Sequence, residues 1–192
     1  MQFKPIPEPP ASIDRIERVR GTLPETPAPE VDCCSRVIDG TGVDRRNVAA
    51  DWIVFLRALG LVERGSDGYR STTAPVTTER LGAAFRERVI DVDTVLAELE
   101  TSTTPLTADE VARRLNAGGE IDVNAVDAPG HRRTDDSTDD HRTVDSTDDG
   151  RTDDGRMDDS TGDTRTDRVE RILAWAMSFG LVERVDDGFR SA

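Results

Sequence analysis

Among 192 residues the chain has two cysteines, two histidines and one lysine, and only 4% of it is aromatic. Each scarcity closes off a class of chemistry. Cys33 and Cys34 are adjacent, and neighbouring residues rarely bridge because the geometry strains the peptide between them. No second Cys or His pair stands at ligand spacing, so neither a disulfide framework nor a zinc site is expected. One thiol is expected to pack on a helix face with the other beside it, both reduced, as suits a cytoplasmic protein. No apolar run approaches a membrane span. Met1 to Pro10 has prolines but no basic stretch followed by an apolar one, so a secretory signal is not expected. Nucleophile–base pairs, phosphate-cradling Gly loops and metal motifs are missing too, which makes an enzyme the least favoured class and implies no cofactor and no small-molecule substrate.

Charge is plentiful but uneven. Residues 117–166 carry 6 arginines against 15 acidic residues, whereas residues 1–75 carry 10 basic against 11 acidic. The net charge of -14 therefore sits mostly in one segment. Lys4 is the sole lysine, and the other 24 basic residues are arginine on an Asp- and Thr-rich background. This composition resembles that of proteins from salt-loving archaea, where an acidic surface keeps a protein hydrated, so a low pI does not argue against nucleic acid as a partner.

Gly60 to Ser71 reads GLVERGSDGYRS and Gly180 to Ser191 reads GLVERVDDGFRS, identical at nine positions. A spacing of 120 residues is too long for a solenoid unit and points to two copies of one small domain. In the first copy, Ser12 is placed to cap a helix with Ile13, Ile16 and Val19 on one side, and a Pro-rich stretch ends it. A helix over Asp32 to Asp39 follows, closed by Gly40-Thr41-Gly42. Asp44 is a good cap for a longer helix to Leu59, with Ala49, Trp52, Ile53, Leu56 and Leu59 as its buried stripe. Asp67-Gly68 is then a favoured hairpin turn between two short strands.

In the second copy, Thr78 to Arg88 and Asp91 to Glu100 read as helices, and Thr107 to Glu110 is a capping box. A last helix, Arg165 to Phe179, matches the first copy's long helix, with Val169, Ile172, Leu173, Ala176 and Phe179 in the stripe positions. Between these elements lies a low-complexity Thr/Asp-rich tract. Its scarcity of apolar groups and its negative charge predict a disordered insertion over residues 117–163. Asp145 to Gly150 partly imitates a calcium loop, but Arg156 stands where the twelfth-position carboxylate belongs. His131 and His141 fall in the same tract, with no partners fixed around them.

Helices followed by a hairpin, twice over, resemble a tandem winged helix-turn-helix protein of haloarchaea, similar to small transcription regulators. The resemblance implies a mainly α fold with small β-hairpin wings, in two domains: residues 1–75 with an N-terminal arm, and residues 76–192, the second interrupted by the acidic insertion. It also implies binding of double-stranded DNA, with the long helix in the major groove and the wing on the backbone. Arg45, Arg46, Asn47, Arg64 and Arg70, with Arg165, Arg171, Arg184 and Arg190, are then the candidate DNA contacts. Glu63 and Glu183 stand ready to tie up the wing arginines in exposed ion pairs of little consequence.

A second use of the fold stays open. The expected outward faces carry Asn47, Ala50, Asp51, Val54 and Ala58 in one copy and Asp167, Glu170, Arg171, Ala174 and Ser178 in the other. Neither is a basic, hydrogen-bonding reading head. Ala50, Val54, Ala58, Ala174 and Ser178 are small enough for close helix packing, which would pair the two domains or form a homodimer. Trp52 and Trp175 read as core or interface residues in either case.

Overall fold

The computed structural model describes residues 2–10, 12–117 and 165–192, all within one compact unit. Helix α1 (Asp14–Thr22) buries Ile16 and Val19 and ends in extended backbone at Leu23, just before Pro24. Its cap differs from the expected one. Ile13 already has helical dihedrals and takes the cap position, while the Ser12 hydroxyl accepts the Asp14 amide at 3.2 Å. Helix α2 (Glu30–Thr41) is longer at both ends than its apolar spacing predicts. Pro29 presets its start, and of the expected closing segment Gly40-Thr41-Gly42 it is Gly42, φ 73°, that makes the stop. Cys33 and Cys34 are both buried, and desolvation pushes both thiols above their ordinary range. Inert packing is what such thiols provide.

Helix α3 (Arg46–Ala58) buries the expected stripe, and Phe55 and Ala58 besides. Arg45, not Asp44, is its cap residue, and no side-chain bond closes the cap. The far end is a Schellman motif: Gly60 at φ 71° lets its amide reach the Arg57 carbonyl, and Leu61 reaches that of Leu56. Strands β1 (Val62–Gly65) and β2 (Gly68–Ser71) form the wing. A short edge joins it, since Ala28 and Tyr69 exchange N–H···O bonds of 3.0 and 2.8 Å. Gly68 is required there because a Cβ would lie 2.0 Å from the Ala28 oxygen.

Helices α4 (Thr78–Arg88), α5 (Val92–Thr101), α6 (Ala108–Ala117) and α7 (Arg165–Ser178) lead to strands β3 (Val182–Val185) and β4 (Gly188–Ser191). The capping box forms as expected: Glu110 accepts the Thr107 amide at 2.8 Å and Thr107 accepts the Glu110 amide at 3.3 Å. Hydrogen bonds to Thr107 hold the Glu110 carboxyl below its ordinary range. Leu106 and Phe189 repeat the edge pairing of Ala28 and Tyr69, and Gly180 repeats the Schellman stop. These equivalences match α5, α6 and α7 to α1, α2 and α3, and leave α4 as an addition between the copies. Ala117 closes α6; the rest of the insertion expected over 117–163, with His131, His141 and the calcium-like stretch, lies outside the described residues.

One core runs through both copies. At its centre the Phe55 and Trp175 rings sit 4.6 Å apart, Trp52 meets Trp175 edge-on at 5.9 Å, and Phe85 of α4 meets Phe179 at 5.3 Å. Each such side chain contributes about 1.5–3 kcal/mol by burial, with about 0.5–1.5 kcal/mol more for a well-placed ring pair. Arg80 of α4 adds polar stitching by donating to the Leu59 and Gly60 carbonyls at the end of α3. Among the described residues, no helix is long and apolar enough to cross a membrane.

Candidate nucleic-acid and helix-pairing faces

The first turn of α3 presents Arg45, Arg46 and Asn47 to solvent. Arg45 is the extended cap residue before the helix, and its contact with Asp44, 3.8 Å, is loose and exposed. In the wings the duplication has copied one arrangement twice. Arg70 pairs with Glu63 across the hairpin and Arg190 pairs with Glu183, while Arg64 and Arg184 lie over the rings of Tyr69 and Phe189 at 5.4 and 5.7 Å. The ion pairs follow from register, which sets Glu63 opposite Arg70 and Glu183 opposite Arg190. All four arginines are exposed. Such exposed pairs add little stability, about 0–1 kcal/mol each.

The long-helix faces are occupied to different depths. Ala58, expected outward, is fully buried. The correction has a plain cause: α4 packs over the end of α3, bringing Phe85 within 6.1 Å of Phe55 and the Arg80 guanidinium onto the helix terminus. Ala50, Val54, Ala174 and Ser178 are half-buried, and Ser178 turns its hydroxyl back to the Ala174 carbonyl at 3.0 Å. Asp51 stands at the rim. Desolvation raises its carboxyl above the ordinary range, and the field of Arg171 draws it part of the way back. Of the candidate contacts in the second copy, Arg165 donates to Asn116 at 2.7 Å. Arg171 is turned into the chain: it donates to the Ile6 carbonyl at 3.3 Å and approaches Glu8 at 3.5 Å.

That last contact exposes what the sequence reading missed. Residues 2–10, read only as an arm, lie along the second copy. Phe3 bridges Val89 in parallel, its amide donating to Arg88 at 2.8 Å and its carbonyl accepting from Ile90 at 3.0 Å. Arg168 donates to Lys4 and the Trp175 indole to Pro7, both at 2.8 Å, while Ile6 is buried. A signal was present in the isolated apolar residues Phe3, ahead of the prolines, and Ile6, between Pro5 and Pro7. Nothing in the sequence names their target.

Two helix-turn-helix-plus-wing copies with identical edge pairings and helix stops therefore share one core. A family model described as the halobacterial double winged helix domain matches residues 1–124 and again residues 121–192. This chain belongs to that family. The double winged helix accounts for the two wings and for the doubled Schellman stop. Nothing matches the chain among curated proteins or among solved structures.

Proposed function

We propose that the chain is a non-enzymatic protein that binds double-stranded DNA as a transcription regulator, with the first winged helix as its reading half. The observation that carries this is an asymmetry. Arg45, Arg46 and Asn47 at the start of α3 stay exposed, as do Arg64 and Arg70 on the wing of the same copy, whereas the matching helix α7 is overlaid by the arm. Arg165, Arg184 and Arg190 serve as supporting phosphate contacts of the second half. Membership in a winged-helix family supports the duplex as ligand, and the exposed arginines supply the charge that phosphate contacts need.

The test is duplex binding by the full chain across potassium chloride concentrations, from low to molar. Arg45→Ala with Arg46→Ala weakens binding at least tenfold and flattens the salt dependence by about two counterions, one for each arginine taken off the phosphate backbone. Arg184→Ala with Arg190→Ala has a smaller effect. Undetectable binding by the intact chain at every salt concentration overturns the proposal.

A specific observation favours a second reading, that of a protein-interaction module. Ala58 is fully buried, and the two long helices meet through Trp52, Phe55 and Trp175, which supports a use of these helices in packing the domains together. Retained duplex binding in an Ala58→Arg variant with an intact fold would weigh against that reading.

A further inference from the structure

We infer that the α7 face is a docking site for an extended proline-rich peptide, filled here by the chain's own arm and exchangeable with the arm of a second copy. Lys4 to Pro10 reads KPIPEPP, four prolines in seven residues. Proline has no N–H and holds φ near -65°, so such a segment is largely pre-extended and offers mainly carbonyl acceptors. Helix α7 supplies the complementary donors. Arg168, Arg171 and Trp175 stand three and four residues apart on one face, and they donate to the carbonyls of Lys4, Ile6 and Pro7. An aromatic indole donating to a carbonyl of a Pro-rich strand, with an apolar side chain buried beside it, is the chemistry by which globular domains recognise such peptides.

The face is built for this ligand. Trp175 is fully buried and its indole bond goes to Pro7. Arg168 is fixed before it reaches the arm, by Asp91 at 2.7 Å and the Ile90 carbonyl at 3.0 Å. Asp167 and Glu170 beside these donors, and Asp51 opposite, disfavour a nucleic-acid backbone on the same face. The occupant we assign is a second copy's arm. The hydrogen bonds holding the arm join the N-terminus to the second copy of the repeat, so the contact already links two halves of the molecule, and another chain offers the same pair. The arm enters α1 through Pro9 and Pro10. This semi-rigid connection can carry it to a neighbour, and a reciprocal exchange keeps each core filled because the incoming Ile6 takes the place of the outgoing one. The inference stands whether or not DNA is bound.

The test uses the full chain and a synthetic peptide of residues 2–10. Ile6→Asp loosens the resident arm, and this variant takes up the peptide at least ten times more tightly than the wild-type chain, whose site is filled, as read by tryptophan fluorescence. Adding Trp175→Phe lowers that uptake about fivefold, the effect of removing one indole hydrogen bond. Separately, tagged wild-type chain incubated with untagged wild-type chain captures it, and excess peptide abolishes the capture. A cooperatively folded Ile6→Asp chain that ignores the peptide overturns the site. If that variant does not fold, the wild-type mixing decides, and absence of capture after prolonged warm incubation overturns the exchange. Equal uptake of a scrambled proline-rich peptide overturns the second copy as the assigned occupant.

Discussion

Helices α3 and α7 descend from one sequence, share a stripe and a stop, and do opposite things with their flanks. Where α7 carries the donors Arg168, Arg171 and Trp175, the matching positions of α3 hold Val48, Asp51 and Phe55, which have no side-chain N–H to offer. Helix α7 therefore grips a backbone, while α3 keeps its polar first turn exposed and seals its far end against α4. The difference teaches that duplication copies the apolar scaffold faithfully, while three substitutions on one flank suffice to reassign a face. Edge pairing shows the conserved side of the same history: Ala28 with Tyr69, and Leu106 with Phe189, keep equal bond lengths although the residue types changed.

The largest effect should come from the residue that belongs to both the core and the arm contact. Trp175→Ala leaves a cavity beside Phe55 and strands the Pro7 carbonyl, a destabilisation of about 3–5 kcal/mol. Chemical unfolding in concentrated potassium chloride measures it. Phe55→Ala at the matching position should cost about the same in burial while leaving the arm in place, so arm protection in hydrogen exchange separates the two variants. Ala58→Arg comes next. Forcing a long cation into a filled position costs at least the ~1–3 kcal/mol of overpacking. Ser178→Arg, at the half-buried matching position, should lower the melting temperature less; equal reductions would mean that the two helix ends are equally enclosed.

Asp51 gives a pH-dependent version of the comparison. Its carboxyl is raised in the fold, so the folded chain holds a proton that the unfolded chain releases. Stability from this group falls as pH rises from the ordinary value of 3.8 through the folded value, then levels off. Asp51→Asn should therefore gain relative to wild type as pH rises out of the acidic range, a trend that melting curves taken at several pH values would reveal. Glu110 has the opposite sign. Its lowered carboxyl contributes stability above the ordinary value of 4.5 that is lost as pH falls through the folded value. Glu110→Gln should flatten that acid limb. The smallest effect belongs to the wings, where Arg70→Ala and Arg190→Ala should each change stability by less than about 1 kcal/mol while both strands persist.

Much of this protein is local and was therefore legible. Period-3.6 stripes located α3 and α7, the glycine stops and Asp-Gly turns located the wings, and Thr107 with Glu110 marked the start of α6, because each signal depends on residues a few positions apart. The doubled twelve-residue segment established the duplication, and with it the kinship of the two helices. What the sequence could not rank was which of several apolar flanks meets which. Ala58 looks like a surface alanine until α4 arrives, and Arg171 looks like a phosphate contact until the arm lies against it. The N-terminal residues and α7 are separated by more than 150 positions in the chain. Their pairing carries no periodic signature, and it arises from donors and acceptors that come within reach only after both copies have folded around one shared core. The sequence by itself determined two winged helices; the tertiary structure decided that they share one core and that one helix is already covered, because burial and hydrogen bonding across such distances depend on shape rather than on spacing.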